Sequence, residues 1–170
     1  WERLPDIPGA ARIQPVGVVQ NAHLGPCFYL IGGYSLPQGV VEGVVHHSGL
    51  RFDQQTNKWS QTSDIMPYGK RQAVIGAAGV ASGCAHVVIS GGVNADIFGA
   101  ALNRNAYLLQ AKQDGDSLLV KNLEREAATY MFHPAEWYDF NQELLIYHTI
   151  TDTWVVESRS PLMARAGAAM

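Results

Sequence analysis

A repeat runs through this 170-residue chain, and it limits the possible folds more than any other feature. Trp1 and Trp59 stand 58 residues apart, while Arg12 and Arg71, and the pairs Gly32-Gly33 and Gly91-Gly92, stand 59 apart. Further along, Leu50, Phe52, Thr56 and Trp59 are matched by Leu145, Tyr147, Thr151 and Trp154, each 95 residues on. The step from 59 to 95 places an insertion of 36 residues between Gly92 and Leu145.

Each unit reads as four short antiparallel strands. A Pro-containing turn leads to an Arg and an inner strand of small residues, Arg12 to Val19 or Arg71 to Ala78, suited to a crowded position near an axis. A second strand, from Cys27 or His86, ends in the glycine pair, where close backbone approach or positive φ is available. A third alternates Leu50/Phe52 or Leu145/Tyr147, and the polar turns Asp53 to Lys58 and His148 to Thr153 deliver the Trp of a short fourth strand. The 17 Gly and 8 Pro, scattered along the chain, agree with many short elements joined by tight turns.

Glycine pair, aromatic, polar turn and Trp in that order resemble the kelch motif of β-propellers. The resemblance implies an all-β partial propeller with a helical insertion, forming one domain over residues 1–170. Trp1 would end one blade, Glu2 to Trp59 would form a complete blade, and Ser60 to Trp154 a second with the insertion. Val155 to Met170 would begin a third, with Ala164 to Met170 as its first strand. A ring closes with at least about four blades, so the expected partners include the remaining blades of a parent propeller. The competing architecture, a two-sheet sandwich of seven or eight strands, does not require the same landmarks twice.

The insertion, about 95–141, is too long for a bare loop. Ile97, Ala101, Tyr107 and Leu108, then Leu119, Leu123, Ala127, Tyr130 and Met131, recur near helical spacing. With Asp96 and Asp116 as N-terminal signals, they predict two helices separated by Gln113-Asp114-Gly115. Such helices could form a lid, a partner surface or a structural cap on the blade.

Composition excludes several function classes. With 12 Lys+Arg against 15 Asp+Glu and 16% charged residues, no polyelectrolyte surface is available to neutralise phosphates, so no nucleic-acid partner is predicted. At 47% hydrophobic the chain is not disordered. The most apolar window, Gln72 to Val93, is broken by five glycines and carries His86, so it reads as two strands and no membrane span is predicted. The start at Trp1 without a Met suggests a processed or cut-out portion of something longer. Cys27 and Cys84 lie in no zinc spacing and read as buried free thiols. Without a Gly-rich phosphate loop or a Gly-x-Ser-x-Gly elbow, hydrolase and nucleotide-dependent readings lack residues, and neither cofactor nor metal is predicted.

A narrower likeness rests on Gly91-Gly92-Val93-Asn94, then Ile97-Phe98, the helical excursion, Ala135-Glu136-x-Tyr138-x-Phe140-Asn141 and Leu144-Leu145. These residues resemble the N-acetylneuraminate epimerase family, the sialic acid mutarotases, including their cyclically permuted branch. The likeness covers about Asn57 to Met170, whereas Glu2 to Asn57 shows only general kelch character. It implies a carbohydrate isomerase that interconverts the α and β anomers of N-acetylneuraminate, or a related anionic sugar, by opening and reclosing the pyranose ring. One group must take the proton of the anomeric hydroxyl while another delivers a proton to the ring oxygen. The sugar carboxylate invites a bidentate Arg. The resemblance places the catalytic Glu and its nearby Arg just past the first strand of the next blade, beyond Met170, so neither role falls on a residue of this chain. It also implies export, to the periplasm or further.

Candidate binding residues follow from the repeat. Arg12, Arg71 and Arg165 fall at the same place in three successive repeats, where a ring of guanidinium groups would attract an anionic sugar. Each could equally cap carbonyls or pair with a neighbouring blade. Asn94 could bond a sugar hydroxyl or close an Asx-turn, and Glu136 could orient an Arg, a sugar or a structural partner. His46 and His47, adjacent on a predicted strand, would point to opposite faces and make a poor metal site. His133, before Pro134, is expected to end a helix. Two other function classes stay open: a kelch module that binds another protein, and a noncatalytic sugar-binding propeller.

Overall fold

The computed structural model describes residues 3–38 and 42–167. Trp1 and Glu2, on which the first blade boundary was placed, and Ala168 to Met170 lie outside the described residues. In chain order the strands are β1 (Val16–Ala22), β2 (Gly25–Ile31), β3 (Tyr34–Ser35), β4 (Val44–Val45), β5 (Ser48–Asp53), β6 (Lys58–Asp64), β7 (Ala78–Ser82), β8 (His86–Ser90), β9 (Glu143–His148) and β10 (Thr153–Arg159). They build two antiparallel four-stranded sheets, β1-β2-β5-β6 and β7-β8-β9-β10, with β3 and β4 as a small separate hairpin. Between β8 and β9 run helix α1 (Ala95–Asp114), helix α2 (Ser117–Thr129) and two 3-10 turns, Tyr130–Phe132 and Ala135–Tyr138.

The sheets stack face to face, meeting most closely at β1 and β7. Strand alternation explains the core: Cys27, Tyr29 and Ile31 on one face of β2 meet Val87 and Ile89 of β8 with Leu145 and Tyr147 of β9, all buried. The Tyr29 and Tyr147 rings meet edge to face at 5.9 Å. Burial raises the Tyr29 phenol to about 12 and pushes Tyr147 up as well. A polar seam joins the sheets beside this core. Gln20 donates to the carbonyls of Ser82, Gly83 and His86, and the backbone N–H of Ser63 donates to the Asp152 carboxylate at 2.9 and 3.0 Å.

The two tryptophans occupy matching places. Trp59 packs on Phe52 at 5.2 Å and Trp154 on Tyr147 at 4.7 Å, each paired across the third and fourth strands of its sheet. Neither ends its strand: β6 runs on to Asp64 and β10 to Arg159. The glycine pairs also match. Gly33 and Gly92, with φ of +82° and +97°, lie against the carbonyls of Ile13 and Ile75, where an added Cβ would come within 2.8 and 3.1 Å.

Three expectations change. The predicted inner strands, Arg12 to Val19 and Arg71 to Ala78, start too early, because β1 begins at Val16 and β7 at Ala78. Val16 faces Ile31 and Ala78 faces Ser90, so the inner strands repeat at 62 residues while the second strands repeat at 59. The β1–β2 hairpin is three residues longer than the β7–β8 hairpin, which shifts everything before it. The described part of the third-blade strand, 164–167, is not a strand. Gly76 N–H bonds the Gln14 carbonyl and Gly167 N–H bonds the Gly76 carbonyl, so one contact recurs from each repeat to the next. Cys84 is exposed, whereas Cys27 is buried and its thiol is pushed up by that burial.

Candidate functional site

All the candidate residues gather at one end of the sheets, the end holding the β2–β5 and β8–β9 excursions and the β6–β7 connection. Helix α1 starts here because the Asn94 side chain accepts from the N–H groups of Asp96 and Ile97. Asp96 marks this start as expected, sitting in the first turn, where a negative charge suits the helix N-terminus, behind the Asn94 cap. Asp116 caps α2 as expected, accepting from Leu119 N–H. The Asn94 amide also donates to Asp139 at 3.0 Å, tying the beginning of the insertion to its end.

Between the β6–β7 connection and the roots of the insertion lies a polar cleft of about 130 Å³. Its charged lining is Lys70, Arg71 and Arg159 against Asp96, Asp139 and Glu143. Each carboxylate has a partner: Asp96 faces Lys70 at 3.8 Å, Asp139 accepts from Asn94, and Glu143 faces Arg159 at 3.5 Å. Arg71 reaches Asp64 from Nε and from a terminal nitrogen at 3.0 and 2.9 Å. Asn141 closes the floor, donating to the carbonyls of Ala73 and Gly91. Such a cleft can hold one charged or hydroxylated group in place. A whole-ligand cleft measures about 300–1,000 Å³.

Arg71 and Asn94 therefore share one cleft, while Arg12, Arg165 and Glu136 do not line it. Arg12 donates to the carbonyls of Gly32 at 3.0 Å and Ser48 at 2.7 Å, half-buried, with its pKa drawn down by that burial. Arg165 bonds the Leu162 carbonyl, and its own carbonyl accepts from Gly92 N–H at 2.7 Å. Glu136 is exposed on the second 3-10 turn. Arg12 and Arg71 do not share one repeat position: at the 62-residue spacing, Arg12 corresponds to Val74, which is buried, and not to Arg71. Where Arg12 is lost, Asn141 takes its place on the glycine carbonyl.

His46 and His47 follow β4 instead of lying on a strand. His46 Nε2 meets Ser35 Oγ at 3.0 Å, and burial, with Arg12 and His47 beside it, holds its pKa below the ordinary histidine value. His47 Nδ1 donates to the Gln72 carbonyl at 2.9 Å. Among the described residues no group of three metal-ligating side chains forms. No helix among them is long and apolar enough to cross a membrane.

Sequence reasoning did not single out Lys70, Asp139, Glu143 and Arg159 for this cleft. Its walls come from segments up to about ninety residues apart, and no local pattern marks them. It also missed a second, larger cleft of about 550 Å³ between α1, α2 and the 3-10 turns, with Arg104, Tyr130, His133 and Trp137 in its walls.

Two stacked sheets with glycine-pair turns, equivalent tryptophans and a helical excursion define part of a kelch-type β-propeller. The solved structure of YjhT overlays on 99% of this chain with a TM-score of 0.76 at 24% identity, and this chain covers 44% of it. A family model described as N-acetylneuraminate epimerase matches residues 1–170. The N-acetylneuraminate epimerases of Salmonella enteritidis and Haemophilus influenzae are each 29% identical to it, over 168 and 170 residues and 99% of this chain. The chain belongs to the N-acetylneuraminate epimerase family. It spans about 40% of the length of the curated relatives it matches.

Proposed function

We infer that this chain is part of a sialic acid mutarotase, which opens and recloses the pyranose ring of N-acetylneuraminate by acid/base proton transfer. The observation that carries the reading is the family match across all 170 residues. The polar cleft supports it chemically: the exposed Lys70 and Arg71 bring positive charge toward an anionic sugar, while Asn94 and Asn141, hydrogen-bonded within the protein, hold the cleft's walls in place.

Arg71, Asn94, Arg12, Arg165 and Glu136 remain the substrate-binding candidates, with Arg71 and Asn94 foremost because they share the cleft. The proton-transfer Glu is assigned, as the family resemblance implies, to a blade beyond the two sheets, of which the first runs through Asp64 and the second through Arg159. The test is anomeric exchange of N-acetylneuraminate followed by proton NMR with the intact protein. Exchange well above the uncatalysed rate is expected. Binding without acceleration would make the protein a sugar-binding propeller, and neither effect would leave a protein-interaction module.

A further inference from the structure

The interhelical cleft contains a guanidinium with unused donor capacity beside aromatic walls. Arg104 on α1 has a side chain only 13% exposed, and its guanidinium lies over the Tyr130 ring at 5.0 Å. Its Nε is buried without a hydrogen-bond partner, the Glu126 carboxylate standing 3.9 Å away. That N–H is itself enclosed, so a ligand in the cleft would meet the guanidinium at its terminal nitrogens. Arg125 adds a second cation to the same walls. The opposing acids are Glu126 and Asp96, and Asp96 already faces Lys70.

Trp137 forms the far wall, with His133 stacked on it at 3.8 Å and Tyr130 set edge-on at 5.8 Å. The indole stays 40% exposed although five aromatic contacts fix this turn. Rigid aromatic walls suit the flat C–H face of a pyranose, and a guanidinium suits its carboxylate. About 550 Å³ accommodates a whole monosaccharide, which the 130 Å³ of the polar cleft does not. The two clefts adjoin, since Asp96 lines both.

We propose that the cleft between the inserted helices binds the ring of a carboxylate-bearing pyranose, with Arg104 on the carboxylate and Trp137 against the ring. The choice of acid sugar rests on the mutarotase reading; the cleft's demand for a ring with one anionic group does not. The probe is the methyl α-glycoside of N-acetylneuraminate, whose locked anomeric centre cannot exchange, titrated by saturation-transfer NMR into the intact protein. Arg104→Ala and Trp137→Ala are each expected to weaken binding at least tenfold. Arg104→Lys should retain part of it, weakening binding several-fold, because a point charge replaces the planar fork. Neutral methyl glucoside should bind at least tenfold more weakly than the acid.

Thermal melts by circular dichroism establish that each variant is folded. Should Arg104→Ala fail to fold, Arg104→Lys and Trp137→Phe carry the test with several-fold losses. Undiminished binding in the folded variants, equal binding of the neutral sugar, or no saturation of the ring protons by the wild type would overturn the proposal. Arg104-dependent binding without catalysed exchange would end the mutarotase reading and leave this one standing. Catalysed exchange with Arg104-independent binding would do the reverse.

Discussion

Arg12 and Arg71 show how residues of one type, placed alike by a sequence repeat, end with different work. The Arg12 guanidinium is half-buried and is the donor to two main-chain carbonyls, while Arg71 is mostly exposed and joins Asp64 at the surface. Arg12→Ala is expected to destabilise the fold by about 2 kcal/mol, since it strands the Gly32 carbonyl and leaves the Ser48 carbonyl with the Gly32 N–H alone. Arg71→Ala should cost less than about 1 kcal/mol, as exposed ion pairs do. Urea denaturation of both variants checks the order, and equal losses would contradict it. The sequence showed the arginines but not their inequivalence. A three-residue difference in hairpin length leaves every landmark after it in register and moves only those before.

At the scale of elements, the helical insertion is held by its two ends. Asn94 caps α1 and donates to Asp139, so one side chain fixes the helix start and closes the excursion. Asn94→Ala should cost about 1 kcal/mol through the lost cap. Asn94→Asp keeps an acceptor for the cap but sets a carboxylate against Asp139, so its deficit should shrink as pH falls below the carboxylate range. A deficit independent of pH would show that a charge at position 94 is not felt by Asp139. The insertion also leans on its counterpart between β2 and β5, the separate β3–β4 hairpin. Tyr34 of β3 meets Phe98 at 5.1 Å, and the Asn103 side chain both accepts from and donates to the backbone of Gly43. Helix periodicity made α1 and α2 readable in advance. Two-residue strands such as β3 and β4 carry too little pattern, and their place depends on the helix beside them.

For the whole molecule, the stacking of the sheets buries Tyr29 and Tyr147 together and raises both phenols. A group whose folded pKa is raised contributes stability that is complete below its unfolded pKa, near 10, and is lost as pH rises through the folded value, about 12 for Tyr29. Alkaline unfolding should therefore set in above pH 10. Tyr29→Phe should delay it, and at pH 7 should leave stability unchanged or slightly higher, because the Tyr29 hydroxyl is buried without a partner. Denaturant melts at pH 7 and pH 11 measure both effects, and an unchanged alkaline transition would remove Tyr29 from the account. The repeat of glycine pairs and tryptophans determined by itself that the chain forms equivalent four-stranded sheets, because each tryptophan packs on an aromatic of the neighbouring strand in its own sheet and each glycine pair ends a second strand at positive φ; helical spacing alone added the excursion. Only the tertiary structure decided which side chains share a cleft: Lys70 meets Asp96, and Arg104 meets Tyr130, through the packing of segments whose spacing along the chain carries no periodic signal.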